Sequence, residues 1–210
     1  MTSPVNSLRE RRLARLRGLY AIAGATELAL ACARGGARVL QLRIKGAPAG
    51  ELLRAARACR EAGALLIVDD RPDVAALCGA DGVHLGQDDL GPADARAVLG
   101  PDALIGVSTH SEAEIDAALA AGADYLGFGP IFATRSKPGA PLPPPHGVEG
   151  LSRAVKRARG RPVVAIGGLT VQNAPLVAAA GAACAAALAE LREAADPEAK
   201  ARAFAEAFIG

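Results

Sequence analysis

Eight short apolar runs alternate with helix-like segments along this chain, and that alternation restricts its fold more than any other feature. The runs are rich in Val, Ile, Leu and Ala and are bounded by Gly, and the connections between elements are mostly short. Apolar runs of this kind read as fully buried parallel strands joined by crossover helices. Strands are expected at residues 19–23, 38–44, 65–68, 82–85, 104–107, 123–128, 162–166 and 182–188. The last is Ala-rich and is placed by position, because Ala has poor strand propensity. Helices are expected at 26–34, 48–62, 72–78, 92–99, from Ser111 to 121, at 148–159, from Thr170 to 180, and from Pro197 onward. Ser111, three residues before Glu114, predicts a capping box, and Thr170 predicts an N-cap. A doubly wound open sheet uses the same alternation. The count of eight and the Gly-Gly turn after strand seven favour a single α/β domain, a (β/α)8 or TIM barrel over residues 19–210. Residues 1–18 form a basic leader, with a helix at 8–17 expected on the barrel floor.

Composition excludes several function classes. A formal charge of +2, 3% aromatic residues and no Trp argue against a nucleic-acid surface. No apolar run is long enough to span a bilayer, and the leader lacks the apolar centre of a signal peptide, so a cytoplasmic location is expected. Cys32, Cys59, Cys78 and Cys184 are scattered singly and are expected to be reduced and mostly buried.

Two strands end in paired carboxylates: Leu65-Leu66-Ile67-Val68 runs into Asp69-Asp70, and Gly82-Val83-His84-Leu85-Gly86-Gln87 runs into Asp88-Asp89. In a parallel barrel, consecutive strand ends are neighbours on one face, so Asp70 and Asp89 can converge on one hard cation. Strand two ends Gln41-Leu42-Arg43-Ile44-Lys45, where alternation puts Gln41, Arg43 and Lys45 on one side. Three long polar side chains are costly in a core, which marks them for a site. The chain's only other lysines are Lys137, Lys156 and Lys200, and Lys137 lies in the loop after strand six. That loop, 133–145, carries Pro138, Pro141, Pro143, Pro144 and Pro145 and is expected to close over anions through Lys137. Gly167-Gly168 after strand seven lets backbone NH groups approach a phosphate. His84, His110 and His146 fall on different elements, which argues against a zinc site.

These motifs together resemble the thiamine phosphate synthase family: Leu19-Tyr20, Gln41 to Lys45, Asp70-Arg71 with Asp73, Gly82 to Leu90, Gly106-Val107-Ser108-Thr109-His110, Gly127-Phe128-Gly129-Pro130-Ile131-Phe132 and Val164-Ala165-Ile166-Gly167-Gly168-Leu169. The likeness runs in register over about residues 19–181. It implies a barrel enzyme that joins a hydroxymethylpyrimidine diphosphate to a thiazole phosphate and releases pyrophosphate. It further implies that Gln41, Leu42, Arg43, Ile44, Lys45, Asp69, Ser108 and Lys137 hold the pyrimidine diphosphate, with Arg43, Lys45, Ser108 and Lys137 catalytic. By the same resemblance Asp70 and Asp89 are Mg2+ ligands, and Thr134, Ser136, Gly168, Leu188 and Ala189 hold the thiazole phosphate. A homodimer is left open.

The chain departs from the family pattern in four places. Ala21-Ile22-Ala23-Gly24 stands where an aspartate usually closes strand one; Asp69 replaces an asparagine; Arg135-Ser136 alters a loop that usually has two threonines around one residue. Leu188-Ala189-Glu190 stands for a Val-Ser-Ala run and puts a carboxylate near a phosphate site. Two other readings stay open: a thiazole tautomerase, whose histidine at the end of strand six is Pro130 here, and a diverged barrel that binds a phosphorylated ligand without turnover.

Overall fold

The structure, a computed structural model, describes residues 7–134 and 144–209. Eight strands alternate with helices: α1(Leu8–Arg15), β1(Gly18–Ala23), α2(Thr26–Arg34), β2(Val39–Leu42), α3(Ala49–Arg60), β3(Leu65–Asp69), α4(Pro72–Cys78), β4(Gly82–Leu85) and α5(Pro92–Leu99). Then come β5(Leu104–Thr109), α6(Glu112–Ala120), β6(Tyr125–Phe128), α7(Gly147–Arg157), β7(Val163–Ile166), α8(Ala174–Ala179), β8(Cys184–Ala187), α9(Ala189–Arg192) and α10(Pro197–Ile209). All strands are parallel, each pairs with the next, and β8 closes on β1 through Gly18↔Cys184 to Ala21↔Ala187. The open sheet is therefore excluded, and β8 is paired along both edges despite its composition.

The near-continuous burial of the strands follows from having two apolar faces. Outward residues such as Leu40, Leu42, Leu66, Val68, Leu126 and Ala165 pack beneath the helices. Inward residues, among them Tyr20, Ile22, Val39, Leu65, Ile67, Leu104, Tyr125 and Val164, fill the barrel. Tyr125 demands a glycine on the neighbouring strand, because a Cβ at Gly106 would lie 2.1 Å from its ring. The four cysteines are free and buried.

Helix α1 sits at the amino ends of the strands. Ser7 and Glu10 form its capping box, Arg12 Nε donates to Asp81 Oδ1 at 2.8 Å, and Arg15 donates to the carbonyl of Gly63 at 2.7 Å.

Several boundaries differ from expectation for local reasons. Strand β2 stops at Leu42, so Arg43 and Lys45 stand in the loop beyond it, whereas β3 reaches Asp69 and β5 reaches Thr109. The Ser111 hydroxyl accepts from the NH of Glu114 at 3.2 Å, but the Glu114 carboxylate accepts from His110 N at 2.7 Å, so the capping box is not closed. Thr170 and Asn173 exchange two hydrogen bonds in a turn of their own, and α8 begins only at Ala174, with Pro175 in its first turn. The short α9 was not expected. Arg135, Ser136 and Lys137, and with them most of the Pro-rich loop, lie outside the described residues.

Candidate active site

The polar cluster at the carboxyl ends of β2, β3, β4 and β5 is built from residues far apart in sequence. Gln41 is inward-facing and buried, and its Nε2 donates to Asp69 Oδ1 at 2.6 Å. Beyond the strand, Arg43 Nε lies 3.1 Å and Lys45 Nζ 3.4 Å from Asp69 Oδ2. Lys45 Nζ also donates to Asp70 Oδ2 at 2.5 Å. Leu42 is buried on the helix-facing side and Ile44 packs against that same core, so neither side chain joins the polar cluster.

Two consecutive aspartates reach one cluster because the backbone turns between them. Asp69 ends β3, while Asp70 takes a left-handed conformation (φ 58°), which Asp tolerates better than most residues. The NH of Asp70 donates to the carbonyl of His84 at 2.9 Å, tying the end of β3 to β4. The Asp89 carboxyl comes close enough to that of Asp70 for the two to shift each other's titration, and Asp89 Oδ2 accepts from the NH of Gly86 at 2.6 Å.

This crowding shows in the titration of the three carboxyls. Burial, and then the charge of Asp70, push Asp69 up to about 6 despite Arg43 and Lys45. At Asp70 burial opposes the charge, but the hydrogen bond with Lys45 and the nearby Asp89 carboxyl outweigh it and hold the group below the ordinary value. Asp89, though exposed as a residue, is raised by the partial loss of water around its carboxyl and by Asp70, against the pull of the Gly86 NH. A hard divalent ion fits the pair Asp70 and Asp89: the donors are all oxygen, they already meet, and the Lys45 ammonium seated on Asp70 stands in for positive charge there. Among the described residues no three His, Cys, Asp or Glu side chains form a metal cluster, so an ion here would complete its shell with other oxygens.

Ser108 stands at the end of β5, beside this cluster. Its Oγ lies 2.9 Å from His84 Nε2, and its carbonyl accepts from Gln87 Nε2 at 2.5 Å. A cavity of about 20 Å3 at the barrel mouth is lined by Gln41, His84 and Ser108 together with Tyr20, Ile22 and Ile166.

The chain matches the family model for thiamine monophosphate synthase over residues 19–191. It belongs to that family. The thiamine-phosphate synthase of Anaeromyxobacter dehalogenans is 52% identical over 204 residues, covering 94% of this chain and 90% of that protein. That of Chlorobium phaeobacteroides is 46% identical over 188 residues, covering 88% and 90%. Among solved structures, thiamine phosphate pyrophosphorylase from Pyrococcus furiosus superposes with a TM-score of 0.83 at 34% identity, covering 95% of this chain and 98% of that one. A 3-hexulose-6-phosphate synthase at 24% identity and TM-score 0.68 shares the fold.

The described residues that the resemblance assigns to the thiazole phosphate lie on the opposite side of the mouth, in the loops after β6, β7 and β8. The loop after β6 folds directly onto the β7 turn: Ile131 N donates to the carbonyl of Ile166 at 2.9 Å and Phe132 N to that of Gly167 at 3.0 Å. Gly168 has φ 67° and faces the Ala133 carbonyl so closely that a Cβ would lie 2.5 Å from it. That packing brings the Thr134 segment alongside Gly168. Leu188 and Ala189 follow β8 as the N-cap and first residue of α9. Glu190, next in line, is half-buried and accepts from Lys200 Nζ of α10 at 3.4 Å. Ser136 and Lys137 lie outside the described residues.

Three residues that sequence reasoning left out of the site complete its inner wall. His84 Nδ1 lies 3.2 Å from the hydroxyl of Tyr125, which lies 3.0 Å from that of Tyr20. One signal was available: the chain has only two tyrosines, each within an apolar strand. Parallel barrel closure was needed to bring them together across 105 positions.

Proposed function

We propose that this barrel is a cytoplasmic thiamine phosphate synthase that couples 4-amino-2-methyl-5-hydroxymethylpyrimidine diphosphate to a thiazole phosphate. One observation carries the reading: Gln41, Arg43, Lys45, Asp69, Asp70, Asp89 and Ser108, from four successive strands, converge on one mouth. Both substrates are small phosphorylated molecules, and neither a nucleic acid nor a membrane takes part.

Arg43, Lys45 and Lys137 bind the diphosphate as cations, and Ser108 donates a hydrogen bond to it. Gln41 orients the pyrimidine end through its place beneath them. Asp70 and Asp89 would hold Mg2+, which would supply positive charge to offset that of the pyrophosphate leaving group. The bond between the pyrimidine methylene carbon and the diphosphate oxygen breaks, and the pair of electrons leaves with pyrophosphate. The ring nitrogen of the thiazole supplies the pair for the new carbon–nitrogen bond. No proton need move, so the protein needs no nucleophile or general base; its task is charge placement and exclusion of water. Thr134, Gly168, Leu188 and Ala189 on the far side, together with Ser136 by the resemblance, hold the thiazole phosphate, so that its ring nitrogen can meet the pyrimidine methylene carbon across the mouth.

The test is incubation with both substrates and Mg2+. Thiamine phosphate and pyrophosphate should appear in equal amounts. Tight binding of both substrates without product would instead support the non-catalytic barrel. The tautomerase reading lacks its histidine, since the end of β6 reads Gly129-Pro130.

A further inference from the structure

A chain of four hydrogen-bonding side chains runs from the barrel interior to its mouth: Tyr20, Tyr125, His84 and Ser108. The inner end of this chain is the pair of buried tyrosines, at 1% and 0% exposure; Tyr20 borders the mouth cavity, but among the described residues its hydroxyl meets only that of Tyr125. Its outer end, Ser108, is half-buried and lines the mouth cavity. Gly127 leaves room for the imidazole; a Cβ there would lie 3.1 Å from His84 Cε1.

Counting hydrogens fixes the direction of this chain. Each phenol and the serine carry one hydroxyl hydrogen, and a neutral imidazole carries one N–H, so four hydrogens serve three contacts. In one direction Tyr20 donates to Tyr125, Tyr125 to His84 Nδ1, and His84 Nε2–H to Ser108 Oγ. The hydrogen left over is then that of Ser108, at the mouth. In the reverse direction Ser108 donates to Nε2, Nδ1–H to Tyr125 and Tyr125 to Tyr20. The hydrogen left over is then that of Tyr20, or that of Tyr125 if Tyr20 donates to it, and neither has another acceptor among the described residues. A buried donor left unpaired is expensive, whereas a free hydroxyl at an open mouth is not. Burial also keeps both phenols protonated, and an imidazolium, donating from both nitrogens, would again leave a buried tyrosine hydrogen unpaired.

We infer that His84 is a positioning residue: held as its Nε2–H tautomer by Tyr20 and Tyr125, it donates to Ser108 and turns the Ser108 hydroxyl hydrogen outward toward an anionic oxygen of the bound ligand. The identity of that oxygen, on the pyrimidine diphosphate, rests on the proposed function. The tautomer does not.

The first measurement is therefore made without substrate. Two-bond proton–nitrogen correlation spectra of the whole protein, labelled with 15N at histidine, should show His84 with the hydrogen on Nε2 at neutral pH. A hydrogen on Nδ1, or an imidazolium, overturns the inference. Tyr125→Phe removes the donor to Nδ1 and should turn the His84 signal into a tautomer mixture; an unchanged spectrum overturns the relay. Kinetics supply the second arm. Tyr125→Phe should lower kcat by about three- to tenfold with KM little changed, the size of one neutral hydrogen bond. In a Ser108→Ala background the same change should have no further effect. Equal losses in both backgrounds would overturn the relay. If the tautomer is as inferred but Ser108→Ala turns over normally, the orientation stands and the assignment of Ser108 to the substrate fails.

Discussion

The barrel has Asp–Arg clusters at both ends, and they are finished differently. On the floor, Asp81 takes Arg12 on one oxygen and the NH of Leu66, at 2.9 Å, on the other. Asp124, buried, accepts from Arg96 Nη2 at 2.5 Å and from the NH of Ile105 at 2.9 Å, with Arg9 3.8 Å away. Each floor carboxylate meets only donors and cations. At the mouth, Asp69, Asp70 and Asp89 crowd one another around two described cations, Arg43 and Lys45. The same residue types thus make a closed lock at one end and, among the described residues, a cluster with more carboxyls than cations at the other. A closed cluster stabilises; an unfinished one is set up to take a cation and to exchange partners.

The largest effect that separates the two ends is on turnover. Asp89→Ala should lower kcat/KM roughly 10²- to 10³-fold, the scale of losing one electrostatic contact in the transition state. The melting temperature should stay within a few degrees, since Asp89 is exposed. Normal turnover in that variant would remove the metal assignment.

Asp124→Ala should do the reverse. It strands the Arg96 guanidinium and the Ile105 NH on the floor, and should cost about 3 to 5 kcal/mol in denaturant unfolding. In the remaining folded protein kcat should be unchanged. A loss of turnover without a loss of stability would show that the floor is coupled to the mouth.

A smaller effect is expected in the pH dependence of stability. Asp69 keeps its proton to about 6 when folded, above its unfolded value of about 4, so between these limits the folded state binds more protons. Stability from this group therefore falls as pH rises through about 4 to 6. His84, held down to about 4 against an unfolded value of about 6.5, has the opposite slope, so the curve to read is the difference between wild type and Asp69→Asn. That difference should grow in favour of the variant as pH rises from about 4 to 6. A flat difference would mean that Arg43 and Lys45 neutralise Asp69 fully. The same variant frees both cations and should tighten pyrimidine diphosphate binding several-fold by calorimetry; weaker binding would give Asp69 a contact with the substrate.

The barrel was legible because strand count, apolar runs and Gly stops repeat eight times, and a repeat survives errors at any one element. Even β8, whose Ala content argues against a strand, was forced by the need to close the ring between β7 and β1. Helix starts were less legible: Thr170 has the right side chain for a cap, but Asn173 captures it in a turn, and nothing in the sequence ranks those two partners. At the mouth, Gln41, Arg43, Lys45, Asp70 and Asp89 could be picked out because polar and charged side chains at the end of an apolar run are costly unless used, whereas Asp69 and Ser108 came only from the family resemblance. The inner wall could not. His84, Tyr20 and Tyr125 are ordinary strand residues until closure sets their polar atoms in line.

Glu190 gives the smallest expected effect and the finest test of the mouth. As a carboxylate directly after Ala189, which is proposed to hold the thiazole phosphate, it would oppose that phosphate by roughly 0.7 to 3 kcal/mol at about 6 Å in an effective dielectric of 20 to 80 if it faced the mouth. Its carboxylate instead meets Lys200 on α10, which partly neutralises it and turns it toward the helix. In the first turn of α9 a carboxylate is also favourable in its own right. The double change Ala189→Ser with Glu190→Ala should therefore alter thiazole phosphate affinity by less than about threefold, under 0.7 kcal/mol. Lys200→Ala offers a complementary probe: it removes the partner, and if Glu190 then swings to the mouth, affinity should fall more than in the double variant. A tenfold gain on removing Glu190 would show that the carboxylate already faces the phosphate, and that this side of the mouth, unlike the floor, carries an uncompensated negative charge.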